Sequence, residues 1–433
     1  MNAALTKAPS PVLARILRDF EAAEASLSAG DAATRAARRH AAQQLSQFGW
    51  PSARDEQWRY ANLRAYERVA AFRPAALDTR GNLAAADQPH AAPLLAELPP
   101  VLPGFERLLY VDGVRYAAAT SAPAATSSPL WPADQRLGLL CDMFASDAAV
   151  LHIRGEAAIE ILFITSERAA GAACYPRLAV DLEPGSRLKL VERHLGAPGA
   201  PTVVCANVSV DLGRAAQLLH YRLQQCGQAI TFADTLAARL AEDARYEVRQ
   251  VAIGAGSART SAQVRLAGRS ACLGWQAIAV GRGEQVHDTA LKVEHVAPGT
   301  RTDEVFRGIA DERARIAFSG HIQIDGSGVG SQARQSLRGL IEGAGAEIDL
   351  RPRLEIGTDE VQAQHGATTG RLDENLLFYL LARGIDRKTA RALLKWAFLS
   401  DVLREIELPQ LRAEAERGTA GQLPDIMAIG ALA

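Results

Sequence analysis

Several things are scarce in this sequence, and each scarcity excludes something. Cysteine is limited to Cys141, Cys174, Cys205, Cys226 and Cys272 among 433 residues. No two form a C-x-x-C pair, and the closest, Cys205 and Cys226, stand 21 apart. That excludes a disulfide framework and a thiolate zinc finger, and the five read as reduced, buried small hydrophobes. No apolar run reaches the ~18–20 residues of a membrane-spanning helix. The first twenty residues hold no signal-peptide core, so the expected location is cytoplasmic, with no membrane partner. Excess charge of either sign is also lacking. Forty-eight Lys and Arg against 49 Asp and Glu leave a net charge of −1, without the basic field a nucleic-acid binder needs. G-x-x-x-x-G-K-[ST], strand-to-helix G-x-G-x-x-G, G-x-S-x-G and H-E-x-x-H motifs are absent, which removes the common nucleotide, hydrolase and zinc-protease chemistries. Gly326-Ser327-Gly328-Val329-Gly330 is glycine-rich but has no following Lys, so it reads as a turn.

What is present is a globular chain, 48% hydrophobic and 22% charged, long enough for two to four domains. Leu13, Ile16, Leu17 and Phe20 recur at helical spacing, with Pro11 in the first turn, and predict an amphipathic helix. Asp31 is a candidate cap for a second helix running to about Phe48, ended by Gly49 and Pro51. Trp58 and Tyr60 lie in a polar stretch, read as a loop-to-helix junction. Residues 73–103 and 117–133, rich in Ala, Pro, Ser and Thr, read as surface connections. Leu108–Tyr116 predicts a hairpin about Asp112-Gly113.

From about residue 150 the period changes to two. Val204, Ala206, Val208, Val210 and Leu212 alternate with Val203, Cys205, Asn207, Ser209 and Asp211, the pattern of a half-buried strand. Alternation returns at Leu188–Leu190, Leu219–Leu223, Tyr246–Ala252, Val264–Leu266 and Ile316–Ile324. Period alone leaves a sandwich, a barrel and a β-solenoid open. The tail returns to helix. Asp373 and Asp386 are candidate caps, and Gly384 suits the turn between two helices. Leu376, Leu377 and Leu380 form one apolar face; Ala390, Leu393, Leu394, Ala397, Phe398 and Val402 form the next, with Pro409 as its end. Arg387, Lys388, Arg391 and Lys395 give the second helix a basic side. Overall neutrality makes that side a solvated face of a packing helix rather than a DNA reader.

Nine histidines are scattered, at 40, 90, 152, 194, 220, 287, 295, 321 and 365. Most are expected at the surface or core edge without a special role. His365 differs. It sits in Gln364-His365-Gly366-Ala367-Thr368, after Asp359-Glu360, where the β region meets the tail. Small neighbours leave room for a ligand or a partner chain, though on local sequence alone a purely structural imidazole is the favoured reading.

Residues 352–384, PRLEIGTDEVQAQHGATTGRLDENLLFYLLARG, resemble the signature of the SufB/SufD family of iron–sulfur cluster assembly proteins. Glu294-His295, Phe306-Arg307-Gly308, Phe318-Ser319-Gly320-His321-Ile322, Gln332 and Gln335-Ser336-Leu337 resemble its β-core segments in the same order. Asp55–Leu63 resembles an N-terminal segment of the SufD branch. The SufB branch carries Cys after the Phe-Tyr pair; here Phe378-Tyr379 is followed by Leu380, so the resemblance is to SufD. It implies a mainly β fold, a right-handed parallel β-helix core flanked by helical domains. The expected division is 1–105, 106–358 and 359–433.

The resemblance also implies a non-catalytic scaffold subunit that pairs with SufB through the β-helix cores. A SufC ATPase, which hydrolyses ATP, would dock on the C-terminal helices and open an assembly site at the SufB interface. Phe378, Tyr379, Leu393, Leu394 and Phe398 are the expected partner-binding residues. No permanent cofactor is expected. His365 matches the family histidine placed at that interface, where it would meet iron or a transient iron–sulfur cluster, and imidazole suits iron. Many relatives carry Cys two residues before this His; here Ala363 stands there, so His365 is this chain's candidate ligand without a thiolate beside it. Two further readings stand beside this one: a homodimeric paralogue acting without SufB, and a carbohydrate-active β-helix enzyme. The adjacent Asp359 and Glu360 would face opposite sides of a strand and make a poor acid–base pair for the latter.

Overall fold

A computed structural model of the protein describes residues 10–27, 32–76, 98–116, 136–423 and 425. The proposed cap Asp31, His90, and most of the two predicted surface connections lie outside the described residues.

The hairpin comes first. β1 (Glu106–Val111) and β2 (Val114–Arg115) pair antiparallel about Asp112-Gly113. Both turn residues take positive φ, 53° and 86°, as a tight hairpin requires. The Asp112 carboxylate accepts from the Ser166 N–H at 2.8 Å and the Ser166 hydroxyl at 2.6 Å, tying the turn to the first rung.

From residue 149 to 370 the chain winds a parallel β-solenoid of about eight turns. Its strands go alternately to two sheets. The first stacks β4 (Glu156–Ile164), β7 (Arg187–Leu195), β9 (Gln217–Gln224), β11 (Arg245–Ala252), β13 (Cys272–Gly281), β15 (Arg301–Ala310), β17 (Gln332–Ile341) and β19 (Gln362–Gly370), with the hairpin at its start. The second stacks β3 (Ala149–Ile153), β6 (Arg177–Leu182), β8 (Thr202–Leu212), β10 (Ile230–Leu240), β12 (Ser257–Leu266), β14 (Val286–His295), β16 (Arg315–Ile324) and β18 (Glu347–Ile356), while the short β5 (Ala173–Cys174) also pairs with β8. Arg301 lies beside Cys272 and Gln332, 29 and 31 residues away, so one turn takes about thirty residues.

Parallel in-register stacking places like on like. Leu188, Leu218, Tyr246 and Leu273 form one column; Ala238, Val264, Val293 and Ile322 face it from the other sheet. These belong to one core between the sheets. Each buried Leu or Val contributes ~1.5–3 kcal/mol. The expected half-buried strand 203–212 is instead buried on both faces over its first part, because helices cover its outer side. Pro11–Leu27, Ala32–Phe48 and Gly138–Phe144 set Ile16, Phe20, Leu45 and Phe144 against Val203, Cys205 and Ala233. Trp58, expected in a polar setting, is 1% exposed and lies under Arg259, 4.0 Å from the ring centroid.

The C-terminal helices Arg387–Leu403 and Pro409–Gln422 cover the opposite sheet. Ala392, Leu399, Val402, Leu403 and Leu411 pack on Val251, Ile278, Val280 and Ile309. Three expectations are corrected here. Of the expected face of Arg387–Leu403, Ala390 and Val402 are buried, but Leu393, Leu394 and Phe398 are only half-buried and Ala397 is exposed, while Ala392, Lys395 and Leu399 are buried in their place. Lys395 is buried rather than solvated, paired with Glu342 at 2.7 Å and Asp425 at 3.1 Å. Pro409 opens a third helix rather than closing the second, since Pro is tolerated in a first turn. No described helix is long and apolar enough to cross a membrane.

Candidate functional site

In a solenoid each turn is covered by the next, except the last. Among the described residues β19 pairs only with β17, and β18 only with β16, so each presents a row of backbone groups that no described strand pairs. Burial falls away accordingly: no residue of β19 is buried, and only Ala363 is half-covered. The chain then turns into the short helix Glu374–Leu381. Asp373 caps it, its carboxylate accepting from the N–H groups of Asn375 and Leu376. The predicted apolar face of this helix is not buried as a unit. Leu377 is fully covered, Leu380 is half-buried, and Leu376, Phe378 and Tyr379 are 53%, 71% and 53% exposed. With Ile356 and Val329 they make five of the eight exposed large apolar side chains among the described residues. Exposed apolar side chains near a free sheet edge make this end a candidate interaction surface. The Arg383 guanidinium sits 3.8 Å from the Tyr379 ring centroid.

His365 lies mid-strand in β19 and is exposed. Its lumen-side neighbour Ala363 packs on the solenoid core, and a Cβ added at Gly366 would meet nothing within 4 Å. In register behind His365 stands Gln335, behind that Glu304, then Trp275. Glu304 is wholly buried, and burial pushes its carboxyl up to about 8 despite the opposing hydrogen bond from Gln335. Sequence reading missed Glu304; the signal available was a polar residue at the lumen parity of an otherwise apolar strand. Asp359 and Glu360 lie exposed in the bend before β19.

Deeper in the lumen is a second polar group that sequence reading also missed. Glu192 accepts from Arg222 at 2.9 Å and contacts the Nε2 atoms of His194 and His220 at 2.6 and 2.9 Å. Arg222 reaches across to Asp234 at 2.8 Å. Burial alone would raise the Glu192 carboxyl, but Arg222 and the two imidazoles hold it well below the usual range. Burial pushes the His220 imidazole down. Two histidines expected near the surface are therefore core residues. His295 is another, buried and bonded to Thr300 and Thr302.

Four of the five cysteines are buried as expected, whereas Cys272 is half-exposed. Burial raises the Cys272 thiol too, so none is an activated thiolate. Among the described residues, no three His, Cys, Asp or Glu side chains converge as a metal site.

The description SUF system FeS cluster assembly, SufBD core domain, matches residues 163–398. This spans more than half of the chain. The protein belongs to the SufBD family. The family segment covers the solenoid from its second rung through the open end and most of the helix that docks beneath it. An iron–sulfur cluster assembly SufBD family protein of Synechocystis is 28% identical over 417 residues, covering 87% of this chain and 88% of its own. The iron–sulfur cluster assembly protein SufD of Escherichia coli is 25% identical over 393 residues, covering 85% and 89%. SufD of Bacillus subtilis is 24% identical over 244 residues, covering 56% of each. The mainly β, parallel-helical fold and the place of the chain in iron–sulfur cluster assembly thus agree with the expectation from residues 352–384.

Proposed function

We propose that this SufBD chain is the SufD-like subunit of a SufBCD-type scaffold. It pairs through its last solenoid rung with a SufB-type chain, and it docks a SufC-type ATPase on its C-terminal helices. The observation that carries this reading is the uncovered end: two free strand edges, a run of exposed Leu376, Phe378 and Tyr379, and His365 between them. A second solenoid stacking there would satisfy the backbone groups of β18 and β19 and cover the apolar side chains in one step. The half-buried Leu393, Leu394 and Phe398, the last two packed in part on the core under Arg387–Leu403, are the surface for the ATPase.

On this reading the chain is not an enzyme by itself. Iron or a nascent cluster is cargo, held transiently where His365 meets donors from the partner chain. His365 alone is a weak site, so shared ligation fits the residues present. The neutral, partly paired surface of the C-terminal helices supports a protein partner rather than DNA: Arg391 and Lys395 are both engaged by Glu342.

The test is co-expression with the cognate SufB- and SufC-type chains and native mass determination. One copy of this chain, one SufB and two SufC is the expected mass. The same free edge also suits a second copy of this chain. A stable homodimer that ignores both partners would replace the scaffold reading with that of an independent paralogue.

A further inference from the structure

The last four rungs of the first sheet carry a polar column through a stretch of lumen lined mostly by apolar side chains, with the buried Thr302 beside it. Trp275, Glu304, Gln335 and His365 occupy the same register position in successive strands. Their neighbours on the same face, Leu273, Ala277, Phe306, Ala333 and Leu337, belong to the solenoid core. Polar groups in such a place cost free energy unless something uses them. Glu304 is fully buried and Gln335 is 2% exposed. Gln335 Nε2 donates to Glu304 Oε2 at 2.9 Å, which anchors the carboxamide nitrogen toward β15 and turns its oxygen away from that strand. Gln335 Oε1 has no hydrogen-bond partner. The pair is fitted from across the lumen as well. A Cβ at Gly320 would lie 2.6 Å from Glu304 Oε2 and 2.7 Å from Gln335 Nε2, so only glycine admits both side chains in this arrangement.

No hydrogen bond joins Gln335 Oε1 to the His365 ring in the structure, but the two are register partners on strands ~4.8 Å apart, so a turn of the exposed imidazole about its side-chain bonds brings a ring N–H to that oxygen. Ala363 and Ala367, which flank His365 on the same face of β19, offer no competing polar atom. An imidazole that binds metal through one nitrogen is commonly fixed by donating its other N–H to a carbonyl or carboxylate oxygen.

We propose that the Glu304–Gln335 pair is a positioning device for His365: Gln335 Oε1 accepts the His365 ring N–H, fixes one tautomer, and leaves the other ring nitrogen facing the open end as a metal ligand. The proposal rests on reading the open end as the cluster site. Glu304 acts only through Gln335, and Gln335 only through His365.

The experiment is nitrogen NMR of the full chain labelled in its histidines, at a pH where the imidazole is neutral, with His365 assigned by signals lost in His365→Asn. One dominant His365 tautomer is expected in the native sequence. Gln335→Leu is expected to give averaged signals of two exchanging tautomers, and Glu304→Leu to do the same. Gln335→Glu, which keeps an acceptor oxygen, is expected to restore the single tautomer. Gln335→Met, close in volume and without an amide, serves as the second variant should Leu disturb the rung. A His365 spectrum unchanged in a folded Gln335 variant overturns the proposal. Failure of the functional reading shows elsewhere: a complex carrying His365→Asn that still assembles clusters at the native rate removes the cluster site but leaves the tautomer result standing.

Discussion

Single residues in this protein take their meaning from which side of a strand they occupy. Asp373 and Asp386 were readable as helix caps because capping is local chemistry: a short carboxylate followed by free N–H groups. Glu192, Arg222, Asp234 and Glu304 were missed, because alternation says that two faces exist and does not say which one is the lumen, and a polar residue at one parity becomes a signal only once that face is known. Glu304 gives this a measurable form. Its carboxyl ordinarily ionises at 4.5 and is pushed by burial up to about 8 in the fold. Between those values the unfolded chain has released the proton that the folded chain still holds. Native stability therefore falls as pH climbs through that window and levels off above it. Glu304→Gln removes the dependence. Its stability relative to the native sequence should rise by a few kcal/mol between pH 5 and pH 8, read from denaturant melts at both. A difference that stays constant with pH would show that Glu304 is ionised throughout.

At the scale of elements, sequence pattern located eight of the nineteen described strands and the first two tail helices, but not the rotation of a helix about its axis. The apolar set Leu393, Leu394, Ala397 and Phe398 is real, yet the side docked on the solenoid runs through Ala392, Lys395 and Leu399. The buried Lys395 explains the error. Periodicity scores a lysine as solvent-facing, whereas Glu342 and Asp425 neutralise it inside. The two flanks predict different phenotypes. Leu399→Ala, at a fully buried position, should cost ~2–5 kcal/mol, seen as a lowered melting temperature of the chain alone. Leu393→Asp, on the half-buried flank, should change stability by less than ~1 kcal/mol while weakening binding of the SufC-type ATPase in a pull-down or calorimetric titration. Equal ATPase binding by both variants would mean that the ATPase docks elsewhere.

For the whole molecule, a long β core between helical ends was legible, but its winding was not. Steps between stacked strands run from 26 residues, Thr231 to Ser257, to 32, Arg315 to Glu347, so no crisp repeat appears and sandwich, barrel and solenoid look alike. The resemblance in residues 352–384 supplied what periodicity could not, and that stretch runs through the last rung and the helix after it. The candidate site was therefore legible as His365 and its neighbours, but the supporting column behind it was not, since its members are separated by about thirty residues each. Leu376→Asp with Phe378→Asp, both at exposed positions, should leave the melting temperature nearly unchanged and abolish pairing with the SufB-type chain in native mass measurements. Retained pairing would move the interface off this end.

The two ends of the solenoid are unlike. The first is blunted by a two-residue strand and the five-residue β3, with helices laid over the neighbouring rungs; the last is covered by no described strand. A stackable unit with two bare ends would polymerise. A unit with one bare end has a valence of one, and end-to-end growth stops at a pair. The asymmetry makes the protein self-limiting, and it ties supply to demand. With the proposed SufB-type chain as the occupant of that end, molecules made in excess of it would keep an adhesive face in solution, and the balance of subunit dosage, more than the stability of either subunit, would set how much orphan chain the cell must clear.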